Sequence, residues 1–227
     1  MKFLDPAAEY QHYKRDIDAA VFRVLNSGQY LFGGELKKLE SNMAHMTAKA
    51  WGVGVKNATD GIQLILKYLW RPGTFVVLPN FGAYPTSVAA HNVVPKEWIY
   101  YVDVDRTMTI DPSKLPLCIE KCVVIGVNLF GNDCDVHALA NYCIDRGPLV
   151  MDAAQSTGSA TTCWGGYSVY SFYPSKPLAS MGDGGMIVGN DVSAEVYLRS
   201  ARFYGQDGRR LSLIHISEPT RQEAISY

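Results

Sequence analysis

No apolar run in this 227-residue chain approaches the length needed to cross a bilayer. The N-terminus, MKFLDPAAEYQHYKRDID, meets Pro6 and then charges before any signal-peptide core can build. The sequence therefore predicts neither a membrane span nor a leader. An excess of one charge is missing too, since 21 Lys and Arg face 22 Asp and Glu for a formal net charge of -1. Without a basic field, nucleic acid and anionic membrane are excluded as partners. Cysteine is scarce and odd in number, with Cys118, Cys122, Cys134, Cys143 and Cys163 containing no Cys-x-x-Cys pair. That excludes a disulfide framework, and Cys118 with Cys122 lacks the paired spacing of a zinc site. They read as reduced packing thiols of a cytoplasmic protein. The five histidines, His12, His45, His91, His137 and His215, are scattered and take no role. Repeats, low-complexity tracts and charge blocks are absent. What is present is an ordinary globular balance, 48% hydrophobic and 19% charged. The length suffices for one sizeable domain that buries roughly 70% of its unfolded surface.

Helical spacing comes first. Tyr10, Tyr13, Ile17, Ala20 and Val24 share one face, and Leu36, Leu39, Met43 and Met46 another, both of which the periodicity places toward a core. From Gly52 short apolar runs alternate with amphipathic stretches. Strands are expected near Val53 to Val55, Phe75 to Leu78, Trp98 to Val102, Cys122 to Val127, Leu149 to Met151 and Tyr167 to Ser171. Helices are expected over Ile62, Ile65, Leu66 and Leu69 and over Val136 to Tyr142. This alternation implies an α/β fold, a mostly parallel sheet covered by helices, in which ligands collect beyond the carboxyl ends of the strands.

The chemistry concentrates at two of those ends. Lys176 follows the strand-like Tyr167 to Ser171 and Pro174, where an amine faces a cleft, and a lysine so placed can form a Schiff base with a carbonyl cofactor. Alone it would be read as a surface lysine. Upstream, however, Leu149-Val150-Met151 ends in Asp152, and a carboxylate at a strand end is what a pyridinium nitrogen needs as partner. Asn57-Ala58-Thr59-Asp60-Gly61 lies between a strand and a helix, where backbone amides can bind phosphate, or where Thr59 or Asp60 can simply cap the helix.

In ordered blocks from Gln29 to Gly208, among them SGQYLFGGELKKLE, VKNATDGIQL, VNLFGNDCDVHAL, MDAAQSTGS, SFYPSKPLASMGDGGMIV and LRSARFYGQ, the chain resembles the DegT/DnrJ/EryC1/StrS sugar aminotransferases. The resemblance implies the large domain of the fold type I transferases and the cofactor pyridoxal 5'-phosphate. Lys176 then matches the cofactor lysine, Asp152 the partner of the ring nitrogen and Gln155 the residue beside the ring's phenolic oxygen. Ala58, Thr59 and Asp60, with Ser171, match the phosphate cradle, Ala58 standing where glycine is usual. Pro79 to Thr86 matches P-x-x-T-F/W/Y-x-x-T with Ala83 at the aromatic position, so Phe81 or Tyr84 is expected to cover the ring. Pro177 stands where asparagine is frequent. Arg202-Phe203-Tyr204-Gly205 resembles an R-N-x-G segment that approaches the partner subunit's site, with Phe203 replacing the asparagine.

The activity so implied is transfer of an amino group from glutamate, an amino-acid donor, to a keto group of a nucleotide-linked sugar, by a homodimer in the complete protein. Another fold type I enzyme, such as a desulfurase or aldolase, and a catalytically silent regulatory or interaction domain are the alternatives. Finally, LSLIHISEPTR, followed at the end by ISY, resembles the in-frame translation of a transposase-end sequencing adapter. The expected organisation is a helical segment 1–30, an incomplete cofactor-binding large domain 31–210 lacking its small C-terminal domain, and an adapter-like tail 211–227. The chain as written is then expected to be inactive.

Overall fold

Each apolar run expected as a strand joins a single seven-stranded sheet in the computed structural model, which describes residues 4–206 apart from the side chains at 162 and 163. The strands are β1 Trp51–Val55, β2 Phe75–Pro79, β3 Ile99–Val102, β4 Cys122–Val127, β5 Leu149–Asp152, β6 Tyr167–Ser171 and β7 Gly185–Gly189, in the order β1-β7-β6-β5-β4-β2-β3. Pairings from β6 through β5, β4 and β2 to β3 are parallel, whereas β7 runs antiparallel to both β1 and β6. The sheet is thus mostly parallel, as expected. Trp98 falls outside β3, closing the 3-10 turn Lys96–Trp98. The tail 211–227 lies outside the described residues.

Alternation along the inner strands sends side chains to two separate cores, as a sheet covered on both faces requires. On one face Val76, Leu78, Val123, Ile125, Val150, Val169 and Ile187 pack under helices α3 (Ala58–Leu69), α4 (Tyr84–His91) and α6 (Val192–Ala201), which contribute Ile62, Ile65, Leu66, Ala89, Ala90 and Leu198. Gly61 lets α3 approach the sheet, since a Cβ there would stand 2.7 Å from Val169 Cγ1. On the other face Val77, Val124, Leu149 and Met151 meet Val136, Leu139 and Cys143 of α5 (Val136–Cys143). Cys122 and Cys134 belong to the same core, where burial pushes the thiols of Cys134 and Cys143 up to about 12. Such thiols are packing groups.

The first helical stripe is corrected by the structure. Helix α1 (Pro6–Ser27) forms, capped by Asp5 at its start and ended by the left-handed Gly28, yet it buries no residue. Ile17, Ala20 and Val24 are only partly buried, and Tyr13 remains exposed. In α2 (Gly34–Met46) only Met43 of the expected stripe is buried, while Leu39 and Met46 are exposed. Periodicity identified both helices, but it cannot say what covers an apolar face.

Glu40 anchors α2. Buried, it accepts from the Gly54 amide of β1 at 2.9 Å and pairs with Arg199 at 2.8 Å and with Arg202. These three groups hold its carboxyl below the ordinary range against the opposing effect of burial. Arg202, in the segment that resembles R-N-x-G, also donates to the Gly54 carbonyl and lies over the Phe32 ring.

Candidate active site

The carboxyl ends of β5 and β6 and the start of α3 assemble most of the expected site. Register aligns them, with Asp152 opposite Val169, Ser171 opposite Gly185, and Gly185 opposite Val55, two residues before Asn57. Asn57 is the N-cap of α3, its side chain accepting from the Asp60 amide at 2.9 Å. Thr59 and Asp60, considered as caps from sequence, are instead first-turn residues. The amides of Ala58 and Thr59, the first two helical positions, have no helical acceptor and face outward at the positive end of the helix.

Gly185 presses β7 against that helix start. A Cβ at this position would stand 2.6 Å from the Asn57 carbonyl carbon and 2.9 Å from the Ala58 nitrogen, both backbone atoms that cannot swing aside. Gly185→Ala is therefore expected to lower stability by about 1–3 kcal/mol through overpacking. It should also weaken binding of a phosphate monoester while leaving binding of the unphosphorylated aldehyde unchanged. Thermal melting and paired titrations check this, and equal loss for both ligands would show that the helix start holds no phosphate.

Asp152 is 4% exposed. Its Oδ2 accepts from the Thr86 hydroxyl at 2.6 Å and its Oδ1 from the Ala154 amide at 3.1 Å. Burial pushes the carboxyl above the ordinary carboxylate range, and these two donors and the positive charge of Lys176 pull it partway back. Lys176 sits half-buried after a turn closed by its own amide on the Tyr173 carbonyl at 2.8 Å, with Pro174 at the position that pre-sets such turns. The loop that carries it is pinned at both ends: the Phe172 amide donates to Gly184 at 2.8 Å, and the Ser180 amide to Phe172 at 2.7 Å.

Gln155 follows two residues beyond Ala153. Its Oε1 accepts from the amide of Phe130, a residue held in left-handed backbone at φ 56°. That bond uses the oxygen of Gln155 and leaves the Nε2 end as a donor, the polarity an anionic oxygen would need. Ser171 is buried, and its hydroxyl accepts from the Tyr173 amide at 3.3 Å. Phe81 and Tyr84 are exposed, at 50% and 80%, so neither is a core aromatic. Ala83 instead caps α4 and packs against the core. Among the described residues no group of three or more His, Cys, Asp or Glu is placed to hold a metal, and no helix is long and apolar enough to cross a membrane.

Thr86 is the site residue that sequence reasoning missed. It is the last residue of the P-x-x-T-F/W/Y-x-x-T segment. The signal that could have singled it out is the need of a buried carboxylate for side-chain donors.

A UDP-2-acetamido-2-deoxy-3-oxo-D-glucuronate aminotransferase of Pseudomonas aeruginosa is 32% identical over 235 residues, covering 99% of this chain and 65% of its own length. A dTDP-3-amino-3,4,6-trideoxy-alpha-D-glucose transaminase of Streptomyces venezuelae is 35% identical over 216 residues, covering 89% of this chain and 56% of its own length. The chain thus spans well over half, but less than two thirds, of these curated relatives. Among solved structures, S. venezuelae DesV in complex with a ketimine intermediate superposes with a TM-score of 0.83 at 32% identity, covering 90% of this chain and 57% of that one. The model of the DegT/DnrJ/EryC1/StrS aminotransferase family matches residues 11–217, running past Arg210 into the adapter-like segment. The chain belongs to the DegT/DnrJ/EryC1/StrS aminotransferase family.

Proposed function

We propose that this chain is the cofactor-binding part of an enzyme that uses pyridoxal 5'-phosphate to transfer an amino group, from glutamate, to a keto group of a nucleotide-linked sugar. The observation that carries the reading is the buried Asp152 carboxylate at the end of β5, held by the Thr86 hydroxyl and the Ala154 amide, with Lys176 on the loop that follows the adjacent strand β6. The two relatives named above are aminotransferases or transaminases of nucleotide-linked sugars. The residues fit the cofactor on physical grounds. Asp152 is buried at a cost that a protonated ring nitrogen would offset, and the start of α3 offers two outward amides beside a glycine whose Cβ would obstruct them.

When bound, pyridoxal phosphate supplies a carbonyl that exchanges amines and a ring that accepts electrons as a substrate carbon loses its proton. The chain's residues divide the remaining work. The Ala58 and Thr59 amides would hold the phosphate at the helix start with Ser171 nearby, while Asp60, its amide taken by the Asn57 side chain, would close the same turn. Asp152 keeps a proton on the ring nitrogen by fixed negative charge. Gln155, oriented by the Phe130 amide, donates toward the ring oxygen. Lys176 Nζ is the amine that holds the carbonyl and the base that keeps the proton in transit. Phe81, just before α4, and Tyr84, its first residue, are exposed and available to cover the ring.

A desulfurase or aldolase would share this frame, but the named relatives favour the sugar branch. A silent domain would have no use for a buried carboxylate at the end of β5 with a lysine on the loop after the adjacent strand β6. A second copy of the chain is the partner this reading expects, in keeping with the exposed Tyr30, Leu31 and Tyr204 around a cleft of about 1060 Å³. Cytoplasmic placement accords with the free thiols of Cys118, Cys122, Cys134 and Cys143.

Borohydride reduction of the chain loaded with pyridoxal phosphate, followed by peptide mapping, is expected to place the pyridoxyl group on Lys176. A label on another lysine would sink the assignment.

A further inference from the structure

Thr86 belongs to none of the groups that hold the phosphate, the ring or the amine, yet it makes the shortest contact to the acid at the centre of the site. Its hydroxyl lies 2.6 Å from Asp152 Oδ2, and both residues are buried, at 3% and 4% exposure. The bond bridges 66 residues of sequence, from the first turn of α4 to the end of β5, so it ties one core-covering helix to the strand end that carries the acid. The other carboxylate oxygen is held by a short-range backbone donor, the Ala154 amide at 3.1 Å. Only the Thr86 bond is therefore both side-chain made and long-range.

We propose that Thr86 is a positioning residue that orients the Asp152 carboxylate toward the cofactor's ring nitrogen and favours its ionised form. Two fixed donors leave the carboxylate little rotational freedom, and a hydroxyl donor stabilises the anion in a place where water cannot. In Thr86→Val the new side chain fills the same volume without a donor, and in Thr86→Ser it keeps the donor without the methyl group. The order of these variants separates hydrogen bonding from packing. The proposal rests on the reading of the site as a pyridoxal phosphate site, and the test judges the two separately.

The cofactor-free wild type, Thr86→Val and Thr86→Ser chains would be labelled with carboxyl-13C aspartate, and the Asp152 signal, identified by its loss in Asp152→Asn, titrated by NMR. Thr86→Val is expected to move the Asp152 midpoint upward and Thr86→Ser to restore it. An unmoved midpoint in Thr86→Val overturns the proposal. In parallel, each chain would be titrated with 4'-deoxypyridoxine phosphate, which keeps the ring nitrogen but cannot bond to Lys176, and with benzyl phosphate, which has no ring nitrogen. Losing a donor to a charged acceptor should weaken the first ligand by about tenfold or more in Thr86→Val. The second should bind unchanged, and Thr86→Ser should recover the first. Equal weakening of both ligands means that Thr86 only supports the fold, and the proposal fails. Failure of the wild type to prefer the pyridine ligand overturns the functional reading instead, whatever the Asp152 titration shows.

Discussion

Lys176→Ala is expected to abolish covalent attachment of pyridoxal phosphate and to reduce amino transfer in the complete protein by at least about 10⁴-fold, with the fold intact. The size follows from the two tasks placed on one nitrogen, since acid–base catalysis alone contributes about 10²–10⁴-fold and loss of the covalent link adds to it. Folding should survive because the turn at Lys176 is closed by its backbone amide, which alanine retains, and because the side chain is only half-buried. Non-covalent binding should persist weakly, since the helix start that would hold the phosphate stands on a different element from the lysine. Lys176→Arg should fail as completely, because a guanidinium remains protonated and cannot serve as amine or base. Single-turnover amino transfer and absorbance of the reconstituted variants measure this. Activity within tenfold of the parent would remove Lys176 from the chemistry.

The layout of that site was largely legible in the sequence because its residues stand where the chain changes state. Asp152 ends an apolar run, and Lys176 follows a strand and a proline. The Asn57-to-Gly61 segment joins a strand to a strongly amphipathic helix. Each transition leaves a local mark, and the strands buried on both faces mark themselves as continuous apolar runs. The parts that escaped depend on distant partners. The antiparallel strand β7 presents only Met186, Ile187 and Val188 between glycines, and its place between β1 and β6 is set by pairings far apart in sequence. The Thr86 bond to Asp152 crosses 66 residues, and nothing near Thr86 indicates its acceptor. The capping role of Asn57 was legible in principle, because asparagine is among the best caps. Thr59 and Asp60 can each cap a helix as well, so the residue types alone do not choose among the three. The apolar stripe of α1 shows the opposite limit, since its periodicity is real yet none of its residues is fully buried.

Asp152→Asn should separate stability from function. In the cofactor-free fold burial raises the Asp152 carboxyl above its ordinary value, so the folded chain binds this proton more tightly than the unfolded chain does. A group shifted in that direction loses stability for the fold as pH rises from the unfolded value through the folded one. At neutral pH the charge is therefore carried at a cost that asparagine does not have. Asparagine can also keep both contacts, accepting from the Ala154 amide through Oδ1 and donating from Nδ2 to the Thr86 hydroxyl, which accepts as readily as it donates. The cofactor-free variant is expected to melt at or above the parent temperature near neutral pH, with the difference shrinking as the medium is acidified. Cofactor binding should move the other way. Removing one partner of a buried ion pair costs about 3–5 kcal/mol, so affinity for a ligand with a protonated ring nitrogen should fall by more than a hundredfold. Turnover should fall with it, because a neutral amide leaves the ring a weaker acceptor of electrons. Melting curves across pH, set beside cofactor titrations, provide the measurement. A variant that binds and turns over like the parent would show that another acid serves the ring nitrogen, and one that melts well below it at neutral pH would show that the ionised carboxylate stabilises the empty fold.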